Sequence, residues 1–218
     1  MSDSAASLEE LRLALAPAIA DAAVFDGWSD AAIAAAADAS GIDPALASFA
    51  FRGGAMVMIA AWIARIDADM ALALPLAELS ALPVRERIRR LVQFRLDALA
   101  GRDEALRRAL AIMAMPQNVA AAARHGWSSA DRMWRLAGDT ATDYNHYTKR
   151  TTLAALYAAT LAAYVNDKSE NKAETRAFLD RRIDGVMRFE KAKARFLKPP
   201  AEQFSMARLL GRLRYPAA

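Results

Sequence analysis

The sequence predicts an all-α protein, because helix-forming residues dominate it and turn-forming residues are scarce. Only 9 glycines and 8 prolines occur among its 218 residues, whereas alanine, leucine and arginine are abundant. Apolar residues recur at intervals of three and four along almost the whole chain, which is the period of an amphipathic helix rather than a strand. The length suffices for one well-filled core. We therefore expect a globular helical bundle.

The first part of the chain predicts helices joined by short turns, with the bounds Leu8–Phe25, Asp30–Ala39 and Pro44–Phe51. Ser29 stands at the N-cap position of the second helix, and Gly41 follows its end. Asp43 and Pro44 occupy the N-cap and the first position of the third helix. This layout indicates a helix-turn-helix unit, which we place at residues 1–52.

Further helices are predicted after Gly53 and Gly54, with a loop or short helix between Pro75 and Pro83. Their expected bounds are Ala55–Met70, Val84–Leu99, Asp103–Met113, Pro116–Arg124, Trp127–Ala137, Asp143–Val165, Ala173–Phe196 and Ala201–Arg214. Two consecutive prolines break the pattern before the last helix. We therefore divide the rest of the chain into a larger helical domain, 53–198, and a tail, 199–218.

Charge is distributed unevenly along the chain. Residues 1–75 contain three basic and ten acidic residues, a net charge of −7, whereas the remainder carries +11 and accounts for the total of +4. The stretch 22–51 resembles the DNA-binding domain of TetR-type regulators, but its third helix contains no lysine or arginine. Since DNA binding requires cations for phosphate contacts, we interpret this unit as degenerate and expect no nucleic-acid partner. A TetR-type, ligand-responsive transcription regulator is the alternative function.

Residue types that carry catalysis or hold metals are scarce. There is no cysteine, which excludes disulfides and thiolate nucleophiles, and the two histidines are His125 and His146. Asp143 and His146 form a single Asp-x-x-His pair, fewer ligands than a zinc site or a di-iron bundle requires. Because the sequence also contains no phosphate-binding glycine loop and no nucleophile elbow, we expect no metal, no cofactor and no enzymatic activity.

The tail combines an apolar stripe at helical spacing with flanking cations. These membrane-binding candidates are Met206, Arg208, Leu209, Leu210, Arg212 and Leu213. The pattern is typical of a helix that lies in the plane of an anionic membrane surface; docking of the stripe on the protein's own core is the alternative. The N-terminus lacks the features of a signal or transit peptide, and no apolar run is long enough for a membrane span. We expect a cytoplasmic protein, peripherally associated with a membrane.

The most distinctive run of the sequence extends from residue 127 to residue 150. Four of its residues share one face of the predicted helix that starts near residue 143: Asp143, His146, Tyr147 and Arg150. Together with Met133 and Trp134 they have the composition of a protein-binding hot spot. A capped helix with an internal Asp–Arg network is the alternative explanation of the same residues.

This run resembles the ubiquinone (coenzyme Q) biosynthesis accessory protein family, the ninth of the numbered coenzyme Q proteins. The residues that match the family pattern are Asp131, Met133, Trp134, Ala137 to Asp139, Thr142, Asp143, Asn145 and Tyr147 to Arg150. The similarity extends from about Leu8 to Arg214. One departure is His146, which replaces a tryptophan of the family.

The resemblance implies a TetR-like, homodimeric lipid-binding protein that takes up isoprenoid quinone intermediates and presents them to a ring hydroxylase. A bacterial member would act at the inner face of the cytoplasmic membrane. The implied partner-docking patch comprises Asp131, Met133, Trp134, Asp143, His146, Tyr147 and Arg150.

For the lipid pocket we select apolar positions in runs rich in methionine, a side chain that lines adaptable sites. The selected positions are Met56, Ile59, Trp62, Ile63, Ile112, Met115 and Tyr157. Plain core packing is the alternative for each of them.

Overall fold

The structure, a computed structural model, describes residues 2–141 and 144–197 and confirms the all-α prediction: this part of the chain contains helices and no strand. The helices are α1 Ser2–Asp26, α2 Asp30–Ser40, α3 Pro44–Ala50, α4 Ala55–Ala73, α5 Leu76–Leu79, α6 Val84–Asp97, α7 Asp103–Met113, α8 Val119–Leu136, α9 Tyr144–Tyr164 and α10 Ala173–Leu197. A short 3₁₀ helix, Glu170–Lys172, precedes α10. The tail, with all of the membrane-binding candidates, lies outside the described residues.

The turns of the helix-turn-helix unit follow from local sequence. Gly41 ends α2 in the left-handed region at φ 63°, which glycine adopts without steric cost. The Asp43 carboxylate accepts a hydrogen bond from the Ala45 amide at 2.8 Å, so it caps α3 as predicted. Ser29 occupies the N-cap position of α2, but its hydroxyl donates to the Asp26 carbonyl instead of capping.

A proline lies inside α1, and a distant side chain compensates for it. Pro17 has no amide proton, so it cannot donate to the Leu13 carbonyl one turn earlier. Arg65 on α4 approaches that carbonyl through Nη1 at 3.5 Å, while Asp69 holds its Nε at 2.9 Å. The replacement partner ties α1 to α4.

Two tryptophans join the N-terminal helices to the rest of the molecule. Trp28 is buried and donates its indole N–H to the Ala105 carbonyl on α7 at 2.9 Å. Its ring lies 5.4 Å from that of Trp62 on α4. The buried apolar side chains of α1–α3 and those of the later helices consequently form one cluster, which extends as far as Ile183 on α10.

The prediction of two helices over 116–124 and 127–137 is wrong, because the structure has one continuous helix, α8. Gly126 lies in its interior, where a glycine costs about 1 kcal/mol relative to alanine but does not end a helix by itself. Pro116 belongs to the turn before α8; there, the Asn118 side chain donates to the Ile112 carbonyl at 2.8 Å. The residues between α7 and α8 therefore form a turn and are not the beginning of a helix.

No single helix in the described ranges has the length and hydropathy of a membrane span. Helices α3 and α4 reach these limits only when they are taken together, across a bend of 89°.

Candidate functional site

Arg150 lies at the centre of the run that the sequence singles out, and its side chain is 2% exposed. Its Nε donates to Asp131 on α8 at 2.6 Å, and its Nη1 donates to Asp139 at 3.0 Å. Nη1 also reaches the His146 carbonyl at 3.1 Å. Arg150 therefore joins α8, the α8–α9 connection and α9 from inside the protein.

Asp139 completes this network with a second cation. Lys149 Nζ donates to Asp139 Oδ1 at 2.6 Å, and the Asp139 side chain is 6% exposed. Burial opposes ionisation of this carboxyl, but the hydrogen bonds from Lys149 and Arg150 outweigh it, so the pKa of Asp139 is lowered. The Asp–Arg network that the sequence left as an alternative is present in the structure.

The predicted docking residues occupy different depths. Met133 is fully buried, and Trp134 is half-buried with its indole N–H donating to the Lys149 carbonyl at 3.0 Å. Tyr147 is 61% exposed, whereas His146 is half-buried beside the Ala141 carbonyl. Asp143 lies outside the described residues. Met133 and Arg150 thus stabilise the fold from within, and Tyr147 is the most accessible docking candidate that the structure describes.

Tyr147 belongs to an aromatic cluster, which we define as Trp127, His146 and Tyr147. The ring centroids of Trp127 and Tyr147 are 6.0 Å apart, and those of His146 and Tyr147 are 5.2 Å apart. Trp127 was not among the predicted docking residues. Its position at the start of the distinctive run was the signal that could have identified it.

A cavity of about 640 Å³ lies among α4, α6, α7, α8 and α9, and its wall is mainly apolar. Four predicted pocket residues line it: Ile59, Trp62, Ile63 and Tyr157. The other three predicted positions, Met56, Ile112 and Met115, are not part of this wall. Leu110 and Met113 line the cavity from α7. Sequence reasoning missed the contribution of α8, which includes Gly126, and predicted Tyr157 of α9 but not its neighbours on that helix, such as Ala154.

The cavity has a buried floor and an exposed rim. Floor residues such as Ile59, Trp62 and Leu106 are almost inaccessible to solvent, whereas Ala123 on α8 and Thr151 on α9 are exposed. Trp127 lines the same cavity while its ring contacts Tyr147. The aromatic cluster therefore stands at the rim, one helical turn from Thr151.

One charged side chain, Arg95 on α6, is part of the cavity wall that the structure describes. Its guanidinium forms an ion pair with the buried Asp67 on α4, and the Ser129 hydroxyl donates to the same carboxylate at 3.3 Å. Burial raises the pKa of Asp67, while Arg95 opposes the shift by favouring the carboxylate. In the described ranges, no three histidine or acidic side chains converge as metal ligands would.

The comparison with known families concerns the helices that carry these features. Residues 119–190, which include α8, α9 and most of α10, match the family model COQ9. The chain belongs to the COQ9 family. This confirms the resemblance seen in the distinctive run.

Curated relatives in the COQ9 family carry the name ubiquinone biosynthesis protein COQ9, mitochondrial. The Rattus norvegicus protein is 34% identical over 167 residues, which are 74% of this chain and 54% of the relative. The Homo sapiens protein is 29% identical over 187 residues, 83% of this chain and 59% of the relative. The chain thus spans little more than half the length of these COQ9 relatives.

The fold of this COQ9-family chain is similar to that of the TetR transcriptional regulator from Nitrosomonas europaea ATCC 19718. The TM-score is 0.65 at 22% sequence identity, and the match covers 82% of this chain and 98% of the regulator. The likeness confirms the TetR-like fold. On α3, the helix that corresponds to a recognition helix, the exposed large side chains are Leu46 and Phe49, and Arg52 just beyond the helix stacks over Phe49 at 4.8 Å.

Proposed function

We propose that this COQ9-family protein acts in ubiquinone biosynthesis as a non-catalytic accessory protein, which binds an isoprenoid quinone intermediate and presents it to a ring hydroxylase. The observation that carries the proposal is the position of Trp127, which lines the apolar cavity and also belongs to the aromatic cluster that contains the exposed Tyr147. The proposed lipid site and the proposed docking surface for the hydroxylase therefore share one side chain, that of Trp127.

The size and lining of the cavity suit a long apolar molecule. Its volume of about 640 Å³ lies within the range of roughly 300–1,000 Å³ that is common for ligand pockets. Removal of a polyprenyl chain from water is favourable by about 25 cal/mol per Å² of buried apolar surface. Alanine and glycine on α8 and α9 keep the wall open enough to admit such a chain.

Lipid extraction from the purified 218-residue chain, followed by mass spectrometry, tests lipid binding. We expect a polyprenyl-substituted quinone intermediate in an amount comparable with that of the protein, because the apolar wall retains such a molecule during purification. Recovery of fatty acid or phospholipid alone would contradict the proposed ligand.

The aromatic cluster is the proposed docking surface for the hydroxylase. Exposed aromatic side chains supply much of the binding energy in protein interfaces, and Tyr147 is 61% exposed beside two other rings. Docking there would bring the recipient to the rim of the lipid cavity. The polar network around Arg150 stabilises the backbone of α9 that carries the aromatic cluster.

Tyr147→Ala is expected to weaken hydroxylase binding by at least about tenfold, because the variant removes an anchor of the cluster. The melting temperature should change little, since the side chain is largely exposed. Biolayer interferometry with the purified pathway hydroxylase measures the affinity, and a thermal scan measures stability. Phe25→Ala is the matched control, because Phe25 is an aromatic residue that is 82% exposed on α1. Equal losses in both variants would contradict docking at the cluster.

We also propose that the protein is a homodimer that associates peripherally with a membrane through its tail. The support for membrane association is the apolar stripe of residues 206–213 with its flanking arginines. A membrane-bound position would place the cavity close to the hydrophobic phase from which an isoprenoid lipid is taken.

A further inference from the structure

Three large apolar side chains are exposed around the short helix α5. Leu72 near the end of α4 is 82% exposed, Leu76 at the start of α5 is 49% exposed, and Val84 at the start of α6 is 45% exposed. Residues 70–84, which contain all three, include one charged residue, Glu78. We call Leu72, Leu76 and Val84 the α5 surface. Exposed apolar side chains that are concentrated in one segment indicate a contact with a partner or a membrane.

The Arg87 side chain fixes the backbone that carries the α5 surface. Its guanidinium donates to the Ser80 and Ala137 carbonyls at 2.8 Å each, and to the Leu82 carbonyl at 2.7 Å. Ala137 follows the last residue of α8, so these bonds attach the connection between α5 and α6 to the end of α8. The apolar side chains are therefore exposed on a segment that hydrogen bonds hold against the rest of the fold.

Ion pairs between α6 and α10 show toward which end of the bundle α10 runs. Arg89 pairs with Asp180 at 2.7 Å, and Arg85 pairs with Asp184 at 2.6 Å. The two helices are therefore antiparallel, and α10 continues from Asp184 past the first turn of α6, where Val84 lies. The tail follows α10, so it is joined to the bundle at the end that carries the α5 surface.

The connection between α10 and the apolar stripe of the tail is long enough for the stripe to reach the level of the α5 surface. Helix α10 ends at Leu197, which is about 20 Å along its axis from Asp184. Residues 198–205 precede the stripe and can span up to about 27 Å. One lipid surface can consequently contact the tail and the α5 surface together.

The second half of α10 adds positive charge at the same end of the bundle. Residues 181–198 contain seven basic and two acidic residues, a net charge of +5. Anionic head groups attract basic segments, and apolar side chains gain by burial at the boundary between head groups and acyl chains. The combination of exposed apolar side chains with an excess of cations favours an anionic bilayer as the partner of this end.

We propose that the α5 surface is a second membrane contact of the protein, and that Leu72, Leu76 and Val84 enter the head-group region of an anionic bilayer. This contact orients the bundle with α5 and the start of α6 toward the membrane. The inference rests on the proposed membrane association through the tail, and it specifies which part of the folded domain faces the lipid.

Fluorescent reporters at single cysteines test this orientation, because the chain contains no cysteine of its own. Leu76→Cys and Met115→Cys are labelled with nitrobenzoxadiazole and mixed with vesicles of phosphatidylcholine and phosphatidylglycerol. Leu76 lies next to Gly138, just beyond α8, whereas Met115 is 43% exposed before the start of the same helix, about 27 Å away along it. We expect emission from residue 76 to rise at least about twofold and to shift to the blue, and emission from residue 115 to stay unchanged.

Other outcomes of the reporter experiment overturn the proposal. Vesicle binding without a response at residue 76 restricts the contact to the tail, and an equal or larger response at residue 115 reverses the orientation. A response at residue 76 that follows protein concentration without vesicles assigns the surface to a second copy of the chain. If the wild-type chain does not float with the vesicles, the membrane association itself is contradicted.

Charge substitutions then measure the contribution of the α5 surface to vesicle affinity. Leu72→Asp combined with Leu76→Asp is expected to weaken binding by about tenfold, because two apolar side chains lose their burial in the bilayer. Met115→Asp combined with Val119→Asp is the matched control, since it adds the same charge at two exposed apolar positions of the opposite end and should keep the wild-type affinity. Equal losses would show an effect of charge alone and overturn the proposal; if the first variant does not fold, the reporter at residue 76 decides.

Discussion

Replacement of Arg150 by methionine is expected to lower the free energy of unfolding by about 3–5 kcal/mol. The side chain is 2% exposed, and it donates to both Asp131 and Asp139. Removal of the guanidinium would leave Asp139, whose side chain is 6% exposed, with Lys149 as its single remaining cation. Urea unfolding of the purified variant, followed by circular dichroism, measures the loss.

Arg135→Met provides the control for this prediction, because Arg135 contacts the same carboxylate from the surface. Its Nε lies 2.7 Å from Asp131 Oδ2, but the side chain is 72% exposed. Exposed ion pairs contribute about 0.2–1 kcal/mol, so the variant should be almost as stable as the wild type. If both variants lost a similar free energy of unfolding, the burial of Arg150 would not be the reason for its contribution to stability.

Ala154→Phe is expected to reduce the lipid that co-purifies with the protein to less than about a tenth, because a phenyl ring occupies space in the cavity. Ala154 lines the cavity from α9 and is half-buried. The melting temperature should stay the same or rise, since the added apolar side chain fills existing space. Quantitative mass spectrometry of the extracted lipid measures the first effect, and a thermal scan measures the melting temperature.

Ala162→Phe is the matched control on the same helix, at an exposed position outside the cavity wall. It should retain the wild-type amount of lipid. Full lipid content in folded Ala154→Phe protein would place the lipid elsewhere. If Ala154→Phe does not fold, Ala158→Phe, on the exposed part of the rim, serves the same purpose.

Features set by neighbouring residues were predictable from the sequence. The cap at Asp43 and the left-handed Gly41 depend on a few residues and appear where expected. The break predicted near Gly126 was wrong, because the propensity of one glycine is weaker than the packing of α8 against its neighbours. Local signals therefore identified most helices, and tertiary packing decided where one helix continued.

The residue types of the site were predictable from the sequence, but the burial of each residue was not. Trp62 and Ile63 of α4 line the cavity, whereas Met56 on the same helix and Ile112 on α7 lie outside its wall. Helical periodicity does not tell which apolar residues face a void and which face a neighbouring helix. For the same reason, Arg150 and Tyr147 looked alike in sequence, although one is buried and the other is exposed.

The contact between Trp28 and Trp62 gives the helix-turn-helix unit a structural role. Trp62 lines the cavity and is 4% exposed, and the ring of Trp28 lies 5.4 Å from it. A chain shortened to begin at residue 53 would lose Trp28 and uncover the back of the cavity wall. The unit, whose third helix presents apolar side chains where DNA-binding proteins carry cations, therefore has a structural role, because it covers the cavity wall from behind.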